Sequence, residues 1–258
     1  KAAQLIGKIR PWLKPIQYVT TVHGTKKNKS IYAAGDAVIA VSQALAQGIP
    51  EHKAYVIYNG VYSQPTLSME KKQQLQSEIY AQYPALDVAK KIVMCIGRLE
   101  PVKNISLLLQ AMQGIDVNLW ILGDGSLRHS LEVQVQQQKM QDQVAFLGFR
   151  TDARDLIQLA DTVVLSSDRE GFPLVMVEAL QADKTMASTK VNGVVEWLPD
   201  AYLADIANVK ELHQAIQHAL AAQAVEDFEE LFARAKAELT VQAMTQQTLK
   251  VYEHLLSK

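Results

Sequence analysis

Short apolar runs rich in β-branched residues alternate along this chain with segments of helical periodicity. Three such runs occupy residues 17–23, 36–42 and 54–59, and six more occupy 91–97, 117–123, 143–148, 162–167, 184–188 and 201–206. Strands that alternate with helices are typical of βαβ units, whose strands lie in parallel sheets. The sequence therefore predicts an α/β fold in which about half of a Rossmann-like sheet precedes a complete one.

A polar, glutamine-rich stretch, 64–89, separates the two groups of predicted strands. We interpret it as a linker followed by a short helix that opens the second domain. The predicted domains are a partial amino-terminal Rossmann-like domain, 1–63, and a complete second domain, 64–240. The amphipathic segment 241–258 is predicted to be a terminal helix that packs back toward the first domain.

Composition excludes several classes of function. The 258 residues are 48% hydrophobic and 21% charged, which is ordinary for a globular protein, and the formal net charge is −1. That charge provides no field that would favour nucleic acid. Cys95 lies in an apolar run and has no second cysteine to pair with. No run approaches the roughly 18 apolar residues of a membrane span and no signal peptide opens the chain, so the expected location is the cytoplasm.

The segment 166–180, SSDREGFPLVMVEAL, carries the strongest chemical signal. It places Glu170 in the loop at the carboxyl end of a predicted strand. Pro173 suits the start of a helix, and Glu178 lies about two turns into that helix. Ligands of open α/β sheets bind at this edge, beside free amide groups and a positive helix end. Two carboxylates and several amide donors suit a nucleotide sugar.

The segment 97–104, GRLEPVKN, follows the first strand of the second domain. Gly97 permits close backbone approach, and Arg98 and Lys103 provide two cations at the mouth of the loop. A guanidinium and an ammonium suit a diphosphate. The alternative interpretation is a pair of solvated surface cations.

Two further loops cross from strand to helix. The Gly-Asp-Gly turn in 122–132 is either structural or a point where backbone approaches a nucleotide; Asp124 or Ser126 is predicted to cap its helix. In 146–156, the backbone of residues 148–150 is a candidate for contact with a base, and Thr151 is predicted to be the N-cap.

In the first domain, His23 and Gly24 end the first predicted strand. His23 is either a hydrogen-bonded structural residue or a functional residue that faces the cleft between the domains. Lys26, Lys27 and Lys29 form a basic cluster that is either solvated or placed to meet an anion.

Two Asn-Gly pairs offer weaker signals. Asn59-Gly60 is interpreted as a turn before the linker. Asn192-Gly193 is predicted to lie at the start of a helix. Either the backbone amides there bind a phosphate, or the turn only caps the helix.

Taken in order, TVHG, GDAVIAVS, VIYNGV, IGRLEPVKN, LGDGSLRHSLE, VAFLGF and SSDREGFPLVMVEAL resemble the retaining glycosyltransferases of family 4. These enzymes have two Rossmann-like domains in the GT-B fold. The resemblance extends from about residue 16 to the end of the chain. It implies a GT-B-like protein whose first domain is truncated and whose second domain is complete.

The resemblance also implies roles for matching residues. Arg98 and Lys103, beside Gly97, would bind the donor diphosphate. Glu170 would contact the transferred sugar, and Glu178 the ribose hydroxyls. The remaining implied donor contacts are the amides of Gly171, Phe172 and Leu174 at the sugar and phosphate, Gly148 and Phe149 at the base, and His23 across the cleft near the sugar.

The implied activity is metal-independent transfer of a hexose-type sugar, with retention, from a nucleotide-diphosphate donor of UDP or GDP type. The implied acceptor is a glycan or a lipid-linked sugar in cell-envelope polysaccharide or lipopolysaccharide synthesis, with peripheral association at the inner membrane face left open. No cofactor and no nucleic acid are expected. The alternatives are a nucleotide-sugar-binding fragment without turnover and a GT-B sugar-nucleotide epimerase.

Two departures from the family pattern bear on these roles. Asn192 stands where the family has one glycine of a pair, which weakens the expectation of phosphate contacts there. The glycine-rich amino-terminal half of the family's first domain has no counterpart, so a carboxyl-terminal portion of a transferase is expected. The sequence leaves the base, sugar, acceptor, linkage and oligomeric state open.

Overall fold

The computed structural model describes residues 17–24 and 35–257. Within them the strands form two sheets, and every strand pair is parallel. The first sheet has the order β1-β2-β3 and contains β1 (Val19–Val22), β2 (Ala37–Ala40) and β3 (Ala54–Val56).

The second sheet has six strands in the order β6-β5-β4-β7-β8-β9. They are β4 (Ile92–Ile96), β5 (Asn118–Leu122), β6 (Val144–Gly148), β7 (Thr162–Leu165), β8 (Thr185–Thr189) and β9 (Leu203–Ala204). This is the order of a doubly wound Rossmann-like sheet. The predicted α/β fold class is confirmed.

The α-helices of the described residues connect and cover these strands. They are α1 (Gln43–Ala46), α2 (Met69–Gln82), α3 (Ile105–Ala111), α4 (Arg128–Gln137), α5 (Ala153–Ile157), α6 (Leu174–Gln181), α7 (Val209–Leu220), α8 (Gln223–Glu238) and α9 (Val241–Leu256). The short 3₁₀ turns within the same residues are Glu51–Lys53, Pro101–Lys103 and Asp200–Tyr202.

The core explains the unbroken apolar runs of the second domain. All five residues of β5 are buried, and so are the first four of β4. A parallel strand covered on both faces needs apolar side chains on both, so its sequence does not alternate. At the centre, Trp120 is fully buried with its ring edge-on to Tyr80 of α2.

The last helix, α9, packs against the first sheet. Val251 and Leu255 form a buried cluster with Ala37, Ile39 and Ile57. Just before this helix, the chain runs alongside the connection that leaves the first sheet. There Val61 pairs with Thr240, and a Cβ on Gly60 would lie 2.1 Å from the Thr240 carbonyl oxygen.

Several local predictions differ from the structure. The helix predicted within 64–89 is present as α2, but at 14 residues it is longer than expected, and its N-cap Ser68 accepts from the Lys71 amide. The prediction that Asn192-Gly193 enters a helix is wrong, because residues 192–197 form turns. A Gly193 φ of +80° is incompatible with a right-handed helix.

The predicted helix caps are also wrong. α4 follows Leu127 and α5 follows Asp152, and neither residue makes a side-chain cap. Asp124 instead accepts from the amide next to it, and Ser126 donates to Glu100. The side chains of Asp124 and Ser126 are therefore occupied by other loop groups and do not cap α4.

Candidate functional site

The strand order of the second sheet reverses between β4 and β7, and the loops that follow these strands touch. The Asp168 amide donates to the Val102 carbonyl at 2.9 Å, and the Ser166 hydroxyl donates to the Lys103 carbonyl at 2.8 Å. The Asn104 side chain donates to the Asp168 carboxylate at 2.8 Å. Open α/β sheets bind ligands in the crevice at such a reversal.

Lys103 and Glu170 form an ion pair across this contact. Lys103 Nζ lies 2.6 Å from Glu170 Oε1, and the two side chains are 19% and 14% exposed. The Ser167 hydroxyl donates to the same oxygen at 2.7 Å. The structure therefore brings together one residue predicted to bind the diphosphate, Lys103, and one predicted to bind the sugar, Glu170.

The turn after β5 lies in backbone contact with the loop after β4. Gly123 has a φ of +127°, and a Cβ there would lie 1.9 Å from the Gly97 carbonyl oxygen. At Gly125 a Cβ would lie 2.6 Å from the Leu99 carbonyl oxygen. Only glycine fits these positions. The structural interpretation of the Gly-Asp-Gly turn accounts for both glycines.

Residues 170–173, the Gly-Phe-Pro loop, contact the first domain. A Cβ added to Gly171 would lie 2.0 Å from the His23 carbonyl oxygen. The Asn59 side chain donates to the Phe172 carbonyl at 3.4 Å. The carboxyl ends of β1 and β3 are therefore in contact with the loop that carries Glu170.

Arg98, the second residue predicted to bind the diphosphate, is exposed at the same edge, and its side chain makes no hydrogen bond or ion pair to any described residue. Nearby Glu100 accepts from the Ser126 amide at 3.2 Å and from its hydroxyl at 3.0 Å. These hydrogen bonds lower the pKa of Glu100, and the charge of Arg98 adds a smaller effect. The guanidinium remains available to an anionic ligand.

Glu178 has a different partner from Glu170. Its Oε1 lies 3.7 Å from Arg154 Nε, and both residues line a cavity of about 350 Å³ that reaches Gln64 of the linker. Burial raises the pKa of Glu178, and Arg154 offsets part of this effect. Among the described contacts, none joins Glu178 to Lys103 or Glu170. Its role at the ribose stays a prediction.

The residues predicted to contact the nucleotide base, and the first residue of α6, are accessible to a ligand. Gly148 has a φ of +69° and accepts from the Gly123 amide at 2.7 Å. Phe149 is 80% exposed, so its ring is free to stack on a base. Leu174, the first residue of α6, is also exposed.

The His23 side chain is exposed and lines a cavity of about 360 Å³ between the first sheet and α9. The His23 backbone contacts the Gly-Phe-Pro loop, and the proximity of its imidazole to a sugar stays a prediction. Lys26, Lys27 and Lys29 lie outside the described residues.

Sequence reasoning missed several residues that build this site. Asn104 and Asp168 join the two loops, and Ser167 fixes Glu170. All three lie inside the segments 97–104 and 166–180, each of which follows a predicted strand. Their position in these loops is the sequence signal that could have identified them as site residues. Tyr58 lies inside the VIYNGV motif, but no local pattern indicates its bond to Glu196, because the two residues are 138 positions apart in the sequence.

Within 17–24 and 35–257, no group of three or more His, Cys, Asp or Glu side chains could hold a metal ion. No helix of these residues is long and apolar enough to cross a membrane.

Two parallel Rossmann-like sheets, with an ion pair at the reversal point of the second, define an α/β protein of GT-B type. The chain belongs to the group 1 glycosyl transferases, whose family model matches residues 76–237.

Two curated relatives match different shares of the chain. An uncharacterized glycosyltransferase of Methanocaldococcus jannaschii is 33% identical over 174 residues, which is 62% of this chain and 43% of the relative. N-acetyl-alpha-D-glucosaminyl L-malate synthase of Bacillus anthracis is 27% identical over 245 residues, 84% of this chain and 60% of the relative. The chain thus spans about half the length of these relatives.

Solved structures show the same fold. The Anabaena protein HepE in complex with UDP has a TM-score of 0.86 at 21% identity, covering 98% of this chain and 76% of HepE. Sucrose-phosphate synthase from Thermosynechococcus elongatus has a TM-score of 0.81 at 20% identity, covering 98% of this chain and 71% of that one.

Proposed function

We propose that this chain provides the donor site of a retaining, metal-independent glycosyltransferase that moves a hexose-type sugar from a nucleotide diphosphate to a glycan or lipid-linked acceptor. The Lys103–Glu170 pair carries the proposal, because it sets an ammonium and a carboxylate side by side in the reversal crevice. An ammonium suits a diphosphate, and a carboxylate accepts hydrogen bonds from sugar hydroxyls.

The nucleotide is proposed to be of UDP or GDP type. HepE has also been crystallised with UDP-glucose, which supports UDP as the first candidate. No cofactor is proposed. Arg98 and Lys103 would supply the positive charge that a leaving diphosphate requires.

Other residues would complete the donor site. Glu178 would bind the ribose hydroxyls if the nucleotide enters beside Arg154. The remaining proposed contacts are Gly148 and Phe149 at the base, Gly97 at the diphosphate, the amides of Gly171, Phe172 and Leu174 at the sugar and phosphate, and His23 across the cleft.

The proposed chemistry is front-face substitution. The bond between the anomeric carbon and the phosphate oxygen breaks, and its electron pair stays on that oxygen. The acceptor hydroxyl forms the new bond on the same face, and its proton passes to the leaving phosphate. Glu170 and Glu178 then position hydroxyl groups and do not serve as the acid/base pair of a glycosidase.

The biological setting is proposed to be cell-envelope polysaccharide or lipopolysaccharide synthesis. The cytoplasmic location and association with the inner membrane face stay predictions. Nucleotide-sugar binding without turnover and sugar-nucleotide epimerisation are the alternatives to transfer.

Calorimetry with UDP, GDP and ADP tests the donor site. We expect binding to one of them that survives EDTA, and binding to none would contradict the assignment. NMR of a bound nucleotide sugar then separates the alternatives. With an acceptor glycan supplied, an intact sugar indicates binding alone, and an epimerised sugar without acceptor indicates an epimerase. Transfer with an unchanged anomeric configuration supports the proposal.

A further inference from the structure

Phe172, in the middle of the Gly-Phe-Pro loop, packs into an aromatic cluster that includes the first domain. Its ring stacks on Tyr58, which follows β3, with centroids 5.0 Å apart and an interplanar angle of 27°. Trp197 lies edge-on to both rings, 5.6 Å from Tyr58 and 6.4 Å from Phe172. On another side, a Cβ on Gly193 would lie 2.7 Å from the Phe172 ring. Phe172 is therefore enclosed.

The carboxylate of Glu196, beside Trp197, binds the first domain. Its Oε2 accepts the Tyr58 hydroxyl at 3.0 Å and the Gln43 amide at 3.0 Å. Its Oε1 accepts the Ala44 amide at 3.3 Å. These two amides open α1. One carboxylate of the second domain thus takes three donors from the first, and its charge strengthens each hydrogen bond.

The Glu196–Trp197 segment is itself anchored within the second domain. The Arg234 guanidinium of α8 lies 3.9 Å from the centroid of the Trp197 ring, a cation–π contact. The Tyr58–Glu196 bond therefore ties the first domain to a segment that α8 holds in place.

We propose that Tyr58 and Glu196 are positioning residues that hold the Gly-Phe-Pro loop, and with it Glu170, in the geometry that receives the sugar of the donor. Phe172 is two residues from Glu170, so a displaced ring moves the backbone that carries this carboxylate. Because the cluster includes both domains, their relative orientation sets the loop geometry. This inference rests on the proposed donor site.

The two halves of the Tyr58 side chain have separate tasks. Burial, with the charge of Glu196, raises the pKa of Tyr58, so its hydroxyl stays protonated and donates at neutral pH. The ring stacks on the loop. Tyr58→Phe therefore removes the bond to Glu196 alone, and Tyr58→Leu also removes the stacking.

Calorimetry on the whole chain with UDP and UDP-glucose tests the inference. We expect Tyr58→Leu to weaken UDP-glucose binding by about tenfold and UDP binding much less, because the Gly-Phe-Pro loop loses the ring on which Phe172 stacks. The affinities of Tyr58→Phe and Glu196→Gln for UDP-glucose should lie between those of Tyr58→Leu and the unmodified chain. The control, Tyr62→Leu, removes a tyrosine that is 74% exposed and should change neither affinity. An equal loss for both ligands indicates a purely structural role and would overturn the inference.

Hydrogen exchange of the amides in 166–174 provides a measurement that needs no ligand. Tyr58→Leu and Glu196→Gln should accelerate exchange in this segment, and Tyr62→Leu should not. Unchanged exchange in both variants would overturn the positioning role even if donor binding is found. If the unmodified chain binds no nucleotide, the proposed function fails, and exchange still decides whether Tyr58 orders the loop.

Discussion

Lys103 Nζ lies 2.6 Å from Glu170 Oε1, although the two residues follow different strands, β4 and β7. The two strands are adjacent and parallel, because the order of successive strands in the sheet reverses between them. Both side chains are largely buried, so removing either one leaves a charge with fewer partners. Without Lys103, the Glu170 carboxylate would keep the Ser167 hydroxyl as its side-chain partner among the described residues. The pair is therefore prearranged for a ligand that carries phosphate and hydroxyl groups.

Removing the positive charge of Arg98 or Lys103 should weaken the binding of a nucleoside diphosphate and leave the binding of a nucleoside unchanged. We expect Arg98→Met and Lys103→Met each to weaken UDP binding by about tenfold or more, since a hydrogen bond to a charged group is worth about 1.5–3 kcal/mol. Uridine lacks the diphosphate, so its affinity should be unchanged. Calorimetry measures both ligands, with exposed Lys210→Met as the control. Equal losses for UDP and uridine would contradict diphosphate binding by these residues.

Removing the charge of Glu178 should stabilise the fold near neutral pH. Burial raises its folded-state pKa above the usual 4.5, so the folded protein binds the proton more tightly than the unfolded chain. Stability therefore falls as pH rises from 4.5 through the folded-state pKa. We expect Glu178→Gln to raise the Tm at about pH 7 and to lose that advantage near about pH 4.

Thermal unfolding at the two pH values checks this expectation, and exposed Glu229→Gln is the control. A Tm that is lowered at neutral pH would show that the Arg154 pair outweighs burial.

The same residue tests the ribose contact independently. Glu178→Ala should weaken nucleotide binding by roughly 1–3 kcal/mol, because it removes charge-assisted bonds to the ribose. An unchanged dissociation constant in calorimetry would remove Glu178 from the donor site.

A methyl group at Gly171 should separate the Gly-Phe-Pro loop from the first domain. Its Cβ would lie 2.0 Å from the His23 carbonyl oxygen, and two backbones must move apart to accept it. We expect Gly171→Ala to lower the free energy of unfolding by about 1–3 kcal/mol and to weaken nucleotide-sugar binding. Urea titration measures the former. At the neighbouring Gly24 a Cβ meets nothing within 4 Å, so Gly24→Ala should behave like the unmodified chain.

Cys95 should be chemically silent in the folded protein. The thiol is 3% exposed, and burial raises its pKa to about 12. Because the thiolate is the reactive form, alkylation by iodoacetamide should require unfolding. Labelling in increasing urea should follow the unfolding curve recorded by circular dichroism. Rapid labelling without denaturant would show that β4 is accessible in the native state.

Local patterns predict the elements of this fold better than their ends. The buried runs 91–97 and 117–123 correspond to β4 and β5, because both faces of these strands are covered. The helix predicted after Asn192-Gly193 is absent, since packing of Gly193 against Phe172 fixes a left-handed backbone there. Contacts between loops therefore override local preference at the site.

The sequence by itself determined the strand and helix pattern, the family motifs, and the placement of Lys103 and Glu170 at one sheet edge. These follow from local periodicity and from the rule that parallel strands end together. Only the tertiary structure decided that Glu178 faces Arg154 and that Tyr58 joins Phe172 to Glu196. The physical reason is that side-chain partners are selected by packing between segments far apart in the chain, which no local pattern encodes.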